Sequence, residues 1–143
     1  MLLSNNPNSD RRSAAILIVE DDVLTRLAIS DYLQECGFKT FEASSAAEAL
    51  EIIAGSLSLI DLVFTDVGLH GVMDGIGLAR WIELNHPNLP VLLTSGDFNK
   101  AAKAKEFCAN ESFFEKPYNF ERLVVHIRAT LLNNKTAANS APS

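Results

Sequence analysis

The stretch Ile16-Leu-Ile-Val-Glu-Asp-Asp22 decides the fold of this chain. Its first four residues are continuously apolar, a run that is too short for a helix and typical of a parallel strand covered on both faces. The run stops abruptly at three acidic residues, Glu20, Asp21 and Asp22. Since ligands of parallel sheets bind beyond the carboxyl ends of the strands, this stretch predicts a buried central strand that leads into a polar site.

Outward from this stretch, short apolar or β-branched runs alternate with longer segments of helical period. Further strands are predicted at 38–42, 62–65, 91–94 and 112–114. Helices are predicted at 23–36, 46–54, in the segment that ends near 85, at 98–109 and at 120–132. This alternation is typical of βα units around a parallel sheet. We therefore predict an α/β fold of five βα units around a five-stranded parallel sheet.

Local signals mark the ends of several predicted helices. Gly37 follows the first helix, where left-handed backbone is common, and Ser45 with Glu48 three residues later forms a capping-box signature. Pro87 prevents the third helix from continuing, and Asn119 is a suitable N-cap for the last one. These signals place the helix boundaries independently of the apolar pattern.

Composition places the chain among globular domains. It has 143 residues, of which 48% are hydrophobic and 21% charged, and a chain of this size can fold without disulfides or structural metals. One domain is predicted at residues 15–132, between polar, mobile tails at 1–14 and 133–143. The formal charge of −6 argues against direct nucleic-acid binding, because a phosphate-binding surface needs clustered Lys and Arg.

Several features indicate a cytoplasmic protein without membrane contact. Cys36 and Cys108 lie far apart, without the spacing of a redox or zinc motif, and are expected to be reduced thiols. Residues 1–13 lack the apolar core of a signal peptide. The sequence has no apolar stretch that approaches the roughly 20 residues needed to cross a bilayer.

The ends of the predicted strands carry an unusual set of polar residues. Glu20 and Asp21 follow the first strand, Asp66 the third, Ser95 the fourth and Lys116 the fifth. Three carboxylates at one sheet edge would raise one another's pKa, so a hard divalent cation such as Mg²⁺ explains them best. Beside a cation and an ammonium group, Asp66 could attack an activated phosphoryl donor. A simpler alternative is that each acid caps the following helix. The occurrence of Ser95 and Lys116 at the ends of two other strands would then be a coincidence.

Five separated motifs occur along the chain in a definite order and spacing. They are Ile16-Leu-Ile-Val-Glu-Asp-Asp22, Asp66, Met73-Asp-Gly75, Pro90-Val-Leu-Leu-Thr-Ser-Gly96 and Lys116-Pro117. Together they resemble the receiver domain of two-component response regulators, from Ala15 to about Leu132. The resemblance implies a doubly wound, flavodoxin-like sheet with the strand order 2-1-3-4-5.

The resemblance implies a role for each residue of the polar site. Asp66 corresponds to the phospho-acceptor and Asp21 to a direct Mg²⁺ ligand. Glu20 corresponds to an acidic neighbour that holds the metal mainly through water, and Gly68 to the residue that supplies its backbone carbonyl to the metal. The implied cofactor is Mg²⁺.

Three further positions correspond to signalling residues of the family. Ser95 corresponds to the hydroxyl that moves to bond the phosphoryl group, and Lys116 to the ammonium that pairs with a phosphoryl oxygen. Phe113 corresponds to the aromatic ring whose rotamer follows the hydroxyl, with core packing as the alternative role. We expect phosphorylation to pull Phe113 inward and to change the face formed by the last two predicted helices and the fifth strand.

The loop after Asp66 departs twice from the family pattern. The segment Val67-Gly-Leu-His-Gly-Val72 is one residue longer than the commonest version, and His70 replaces the usual proline. We expect altered loop dynamics and partner contacts, with activity retained. A role for His70 as a metal ligand is the less favoured alternative, because Mg²⁺ prefers oxygen.

The resemblance, with only eleven residues after position 132, implies a stand-alone response regulator. Its phosphoryl donor would be a sensor histidine kinase or a histidine phosphotransfer protein. It would signal to an unspecified downstream protein by a surface change, or pass the phosphoryl group onward, and homodimerisation is left open. It would not be a classical enzyme, although Mg²⁺-dependent self-phosphorylation and autodephosphorylation are expected.

Two other functions compete with this interpretation. The first is a receiver-like interaction module that works without phosphorylation, against which the acidic pair, Ser95 and Lys116 argue. The second is a phosphatase or hydrolase on a similar sheet, which would carry a second Asp two residues after Asp66, where this chain has Gly68.

Overall fold

A computed structural model of the chain describes residues 13–95, 113–115 and 119–140. Its strands are β1 (Ala15–Val19), β2 (Lys39–Ala43), β3 (Leu62–Asp66), β4 (Val91–Ser95) and β5 (Phe113–Glu115). Its helices are α1 (Val23–Glu35), α2 (Ala46–Ser56), α3 (Gly75–Asn85) and α4 (Phe120–Ser140), with a 3₁₀ turn at Leu57–Leu59 after α2.

The strands form a parallel sheet in the order β2-β1-β3-β4-β5. In its register, Ile16 of β1 is aligned with Thr40 of β2 and with Leu62 of β3. The predicted parallel α/β fold and the order 2-1-3-4 are confirmed, and the three residues of β5 add a short parallel strand beside β4. The predicted helix at 98–109 lies outside the described residues, so five complete βα units stay a prediction.

Strand β1 is buried on both faces because helices cover both sides of the sheet. Leu17 and Val19 belong to a core cluster formed with residues of α2 and α3. Ile16 and Ile18 belong to a second cluster, formed with residues of α1 and α4. This two-sided cover explains the continuous apolar run, because an alternating pattern would place polar side chains against one of the helical layers.

Hydrogen bonds at the helix ends follow the sequence signals. Ser45 caps α2 by accepting a bond of 3.1 Å from the Glu48 amide. Asn119 accepts a bond of 3.0 Å from the Arg122 amide at the start of α4. Gly37 has a φ of +96° just after α1, a backbone region that glycine enters without a steric penalty from Cβ. All three end signals are confirmed.

Helix α4 is longer than predicted. The sequence predicts an end near position 132 and a mobile tail at 133–143, but the helix continues to Ser140. Residues 133–140 contain neither Gly nor Pro, so each added residue gains a backbone hydrogen bond once the helix has formed. The Asn134 side chain also donates to the Asn88 carbonyl at 3.2 Å. The helix therefore extends past its predicted end near 132, while the predicted domain limits stay a prediction.

Within the part of the chain that the structure describes, there is no helix long and apolar enough to cross a membrane. Cys36 is a free, partly buried thiol. Cys108 and nearly all of the predicted N-terminal tail lie outside the described residues, so the predictions made for them stand untested.

Candidate metal and phosphorylation site

Three carboxylates meet at the carboxyl edge of the sheet. Glu20 and Asp21 follow β1, and Asp66 is the last residue of β3, the strand next to β1. One carboxylate oxygen of each residue lies within 4.8 Å of the other two. Glu20 is only 3% exposed, while Asp21 and Asp66 are partly buried. Oxygen donors at this spacing fit Mg²⁺, which binds through carboxylates and keeps several water ligands.

The backbone of Glu20 is held from two sides. Its amide donates to the Ala43 carbonyl at 3.0 Å, at the end of β2. Its carbonyl accepts a bond of 2.8 Å from Nη1 of Arg26 in α1, and Nε of Arg26 donates to the Glu42 carboxylate at 3.2 Å. Arg26 was not among the predicted site residues, although a cation one turn into the helix after an acidic loop is a usable signal.

Asp66 is fixed by hydrogen bonds and by close packing. Its Oδ1 accepts a bond of 3.2 Å from the Gly68 amide. Gly75, the first residue of α3, lies so close that a Cβ atom there would stand 2.1 Å from the Asp66 carbonyl oxygen. Only glycine fits at that position, because this contact involves backbone that cannot swing aside. The start of α3 is therefore packed directly against the predicted phospho-acceptor.

The loop between β3 and α3 reaches the acidic cluster through His70. Nδ1 of His70 forms a hydrogen bond with Oδ2 of Asp21, and the His70 side chain is 91% exposed, so the ring covers this carboxylate from the solvent side. Partial burial acts to raise the pKa of Asp21, but hydrogen bonds with His70 and Glu20 outweigh it and lower the pKa. Asp21 is therefore ionised at neutral pH.

The predicted signalling residues Ser95 and Phe113 lie on β4 and β5. Ser95, the last residue of β4, is buried and comes one position after Thr94, which is aligned with Asp66. Phe113 is only 6% exposed and packs in a cluster with Leu93. The ring already lies inside, because burying an apolar ring is favourable in itself. Its movement on phosphorylation and its switch role both stay predictions.

Two of the predicted roles have no observation that bears on them. Lys116 lies outside the described residues, so its pairing with a phosphoryl oxygen stays a prediction. Gly68 contacts Asp66 through its amide, while the use of its carbonyl as a metal ligand is likewise still a prediction. The structure thus brings together Glu20, Asp21 and Asp66, with Ser95 at the end of the neighbouring strand.

Comparison with known sequences assigns the family. Residues 16–128 match the sequence model of the response regulator receiver domain. This chain belongs to the receiver-domain family. Receiver domains are signalling phospho-acceptors of two-component systems, and they bind Mg²⁺ at an acidic pocket. In this receiver, the carboxylates of Glu20, Asp21 and Asp66 form an acidic cluster of that kind.

Known relatives of this receiver are similar over most of its length. A cyclic di-GMP phosphodiesterase of Thermotoga maritima is 34% identical over 119 residues, which are 82% of this chain and 31% of that protein. The nitrogen assimilation regulatory protein NtrX of Azorhizobium caulinodans is 36% identical over 112 residues, which are 77% of this chain and 24% of that protein. This receiver therefore spans less than a third of the length of either relative.

A solved structure supports the same assignment. The crystal structure of the receiver domain of NtrX from Brucella abortus is 35% identical in sequence and superposes with a TM-score of 0.72. The superposition covers 81% of this chain and 97% of that one.

Proposed function

We propose that this receiver accepts a phosphoryl group on Asp66 from the phosphohistidine of a sensor histidine kinase or a histidine phosphotransfer protein. The observation that carries the proposal is the cluster in which carboxylate oxygens of Glu20, Asp21 and Asp66 lie within 4.8 Å of one another. A carboxylate oxygen of Asp66 would attack phosphorus, and the bond from phosphorus to the imidazole nitrogen would break with its electron pair left on nitrogen. The product is an aspartyl phosphate.

Asp21 and Asp66 would bind Mg²⁺ directly, with the Gly68 carbonyl as a third ligand and Glu20 acting mainly through water. When bound, the ion supplies positive charge that offsets the charge on the oxygens of the transferred group. Asp21 suits this role because hydrogen bonds keep its pKa low. The bond from Arg26 to the Glu20 carbonyl fixes the loop from which both acids of the β1 end project.

Ser95 and Lys116 would hold the phosphorylated state. Ser95 ends β4, the strand beside the one that carries Asp66, and its hydroxyl would donate to a phosphoryl oxygen. Lys116 directly follows β5 in the sequence, and its ammonium would pair with a second phosphoryl oxygen. Both contacts would exist only after phosphorylation, so they would shift the equilibrium between the resting and the signalling state.

The phosphoryl donor would dock beside the acidic cluster, on the first turns of α1. Leu24 and Leu27 lie there and are 78% and 44% exposed. Exposed apolar side chains at the rim of a polar site are a common basis for protein recognition.

We propose that this receiver acts as a single domain, with limits near 15 and 132, in the cytoplasm. Its output would be a changed surface or onward phosphoryl transfer.

Intact-protein mass spectrometry after incubation with acetyl phosphate and Mg²⁺ tests the proposal. We expect the mass of one phosphoryl group to be gained by the wild type and not by Asp66→Asn. Asp31→Asn changes an exposed acid of α1 and is a matched control that should label like the wild type. No gain by the wild type with Mg²⁺ or Mn²⁺ would favour an interaction module that works without phosphorylation.

A further inference from the structure

His70 touches the metal site without being one of its predicted ligands. Its Nδ1 donates to Oδ2 of Asp21, so one lone-pair region of this carboxylate faces a ring N–H. The donor set of Glu20, Asp21 and Asp66 is otherwise made of carboxylate oxygens, which suits Mg²⁺. A ring N–H and a cation cannot both occupy the same lone-pair region of the same oxygen.

The exposure of the two side chains shows on which side of Asp21 the His70 ring lies. The His70 side chain is 91% exposed, whereas that of Asp21 is 24% exposed, so the ring lies on the solvent side of Asp21. The neighbouring residue Gly71 has a φ of +112°. That backbone conformation turns the loop sharply at the point where the ring reaches the carboxylate.

We propose that His70 competes with the divalent cation for Asp21 and thereby lowers the Mg²⁺ affinity of this receiver. This inference rests on the proposed function, because it takes Asp21 as a ligand of the phosphorylation-site metal. The ring would have to leave Oδ2 when the ion binds. The affinity of the site then depends on a side chain of the loop between β3 and α3.

Calorimetric titration of the full chain with Mg²⁺ at one fixed pH and ionic strength tests the inference. Since an exposed polar contact contributes little, we expect His70→Ala to tighten Mg²⁺ binding by about two- to fivefold. His70→Gln keeps an N–H donor at this position and should give a smaller change. His86→Ala removes a histidine at the opposite end of α3 and should leave the affinity unchanged.

A second titration, with Co²⁺, separates competition from ligation. Imidazole is a good ligand for Co²⁺, so a histidine that joined the metal would make Co²⁺ binding weaker in His70→Ala. We expect tighter binding of both ions in this variant. Unchanged or weaker Mg²⁺ binding in His70→Ala would overturn the inference while leaving the proposed function intact. If the wild type and Asp21→Asn both fail to bind Mg²⁺, the proposed assignment of the metal site is wrong, and the inference about His70 fails with it.

Discussion

The guanidinium of Arg26 donates a hydrogen bond of 2.8 Å to the backbone carbonyl of Glu20. The same side chain is only 16% exposed and pairs with Glu42 at the end of β2. The loop that carries the acidic pair is therefore braced by a residue of the following helix and by the neighbouring strand. Through its bond to the Glu20 carbonyl, Arg26 acts on the backbone that carries the acidic pair.

Replacing Arg26 by Met should weaken Mg²⁺ binding by about tenfold, since residues that orient metal ligands commonly contribute that much. Loss of a hydrogen bond from a charged donor should also lower the free energy of unfolding by about 1–2 kcal/mol. Calorimetry on the folded protein measures the first effect and urea unfolding the second. Arg122→Met, on the exposed face of α4, is the control. Loss of stability with unchanged Mg²⁺ affinity would leave Arg26 with a purely structural role.

Removing Asp21 should reduce Mg²⁺ affinity more than removing Glu20, because Asp21 is the proposed direct ligand. Asp21→Asn and Glu20→Gln make this comparison with little change in side-chain volume. Trp81 lies beside His86 at the far end of α3, with 5.4 Å between ring centroids, so calorimetry is a better probe than its fluorescence. Equal affinities in Asp21→Asn and the wild type would show that the site has been assigned wrongly.

The lowered pKa of Asp21 also predicts a dependence of stability on pH. A carboxyl with a lowered pKa in the folded state contributes stability above its unfolded pKa of about 3.9, and this contribution is lost as the pH falls through the lower folded value. Urea unfolding with a chelator present, from pH 5 to pH 3, should therefore show a shallower decline in Asp21→Asn than in the wild type. Parallel curves would mean that the bonds from His70 and Glu20 do not lower this pKa.

The sequence predicts the strands well because a strand that is buried on both faces is a continuous run of apolar residues. The run Ile16–Val19 is apolar throughout and ends in carboxylates, so both the strand and the polar edge are visible in seven residues. The contact between His70 and Asp21 joins residues 49 positions apart and depends on how a loop folds back over the sheet. No local pattern encodes such a contact. The last two turns of α4 were missed for another reason, since they carry no apolar stripe.

Gly75 should not tolerate even a methyl group. Gly75→Ala would place Cβ 2.1 Å from the Asp66 carbonyl oxygen, so α3 and the Asp66 loop must move apart, at a cost of about 1–3 kcal/mol in the free energy of unfolding. Gly55→Ala in α2 meets no atom within 4 Å and should instead stabilise the protein by about 0.4–1 kcal/mol. Urea unfolding of the pair measures both effects. Similar stability changes in the two variants would contradict the packing argument.

Leu24 and Leu27 should matter to the phosphoryl donor protein and not to the chemistry. Changing both to Ser should slow phosphoryl transfer from a histidine kinase while leaving labelling by acetyl phosphate unchanged, because a small donor does not need the helix face. Leu84→Ser, at an exposed leucine of α3, is the control for altered surface polarity. If both donors slow equally, the leucines support the fold or the site itself, and the docking prediction is refuted.

Ser95→Ala should separate acceptance of the phosphoryl group from the response to it. Asp66 and the acidic cluster are untouched, so the variant should still label with acetyl phosphate. The variant lacks the Ser95 hydroxyl, so its phosphorylated state lacks the proposed bond to a phosphoryl oxygen, a bond that the resting state never has. Phosphorylation should therefore shift the equilibrium between the resting and the signalling state less than in the wild type. Because Phe113 is already buried, the change should be sought in the backbone around Ser95 and β5. Amide NMR shifts with and without beryllium fluoride measure it, and wild-type shifts in Ser95→Ala would mean that the signal does not pass through this hydroxyl.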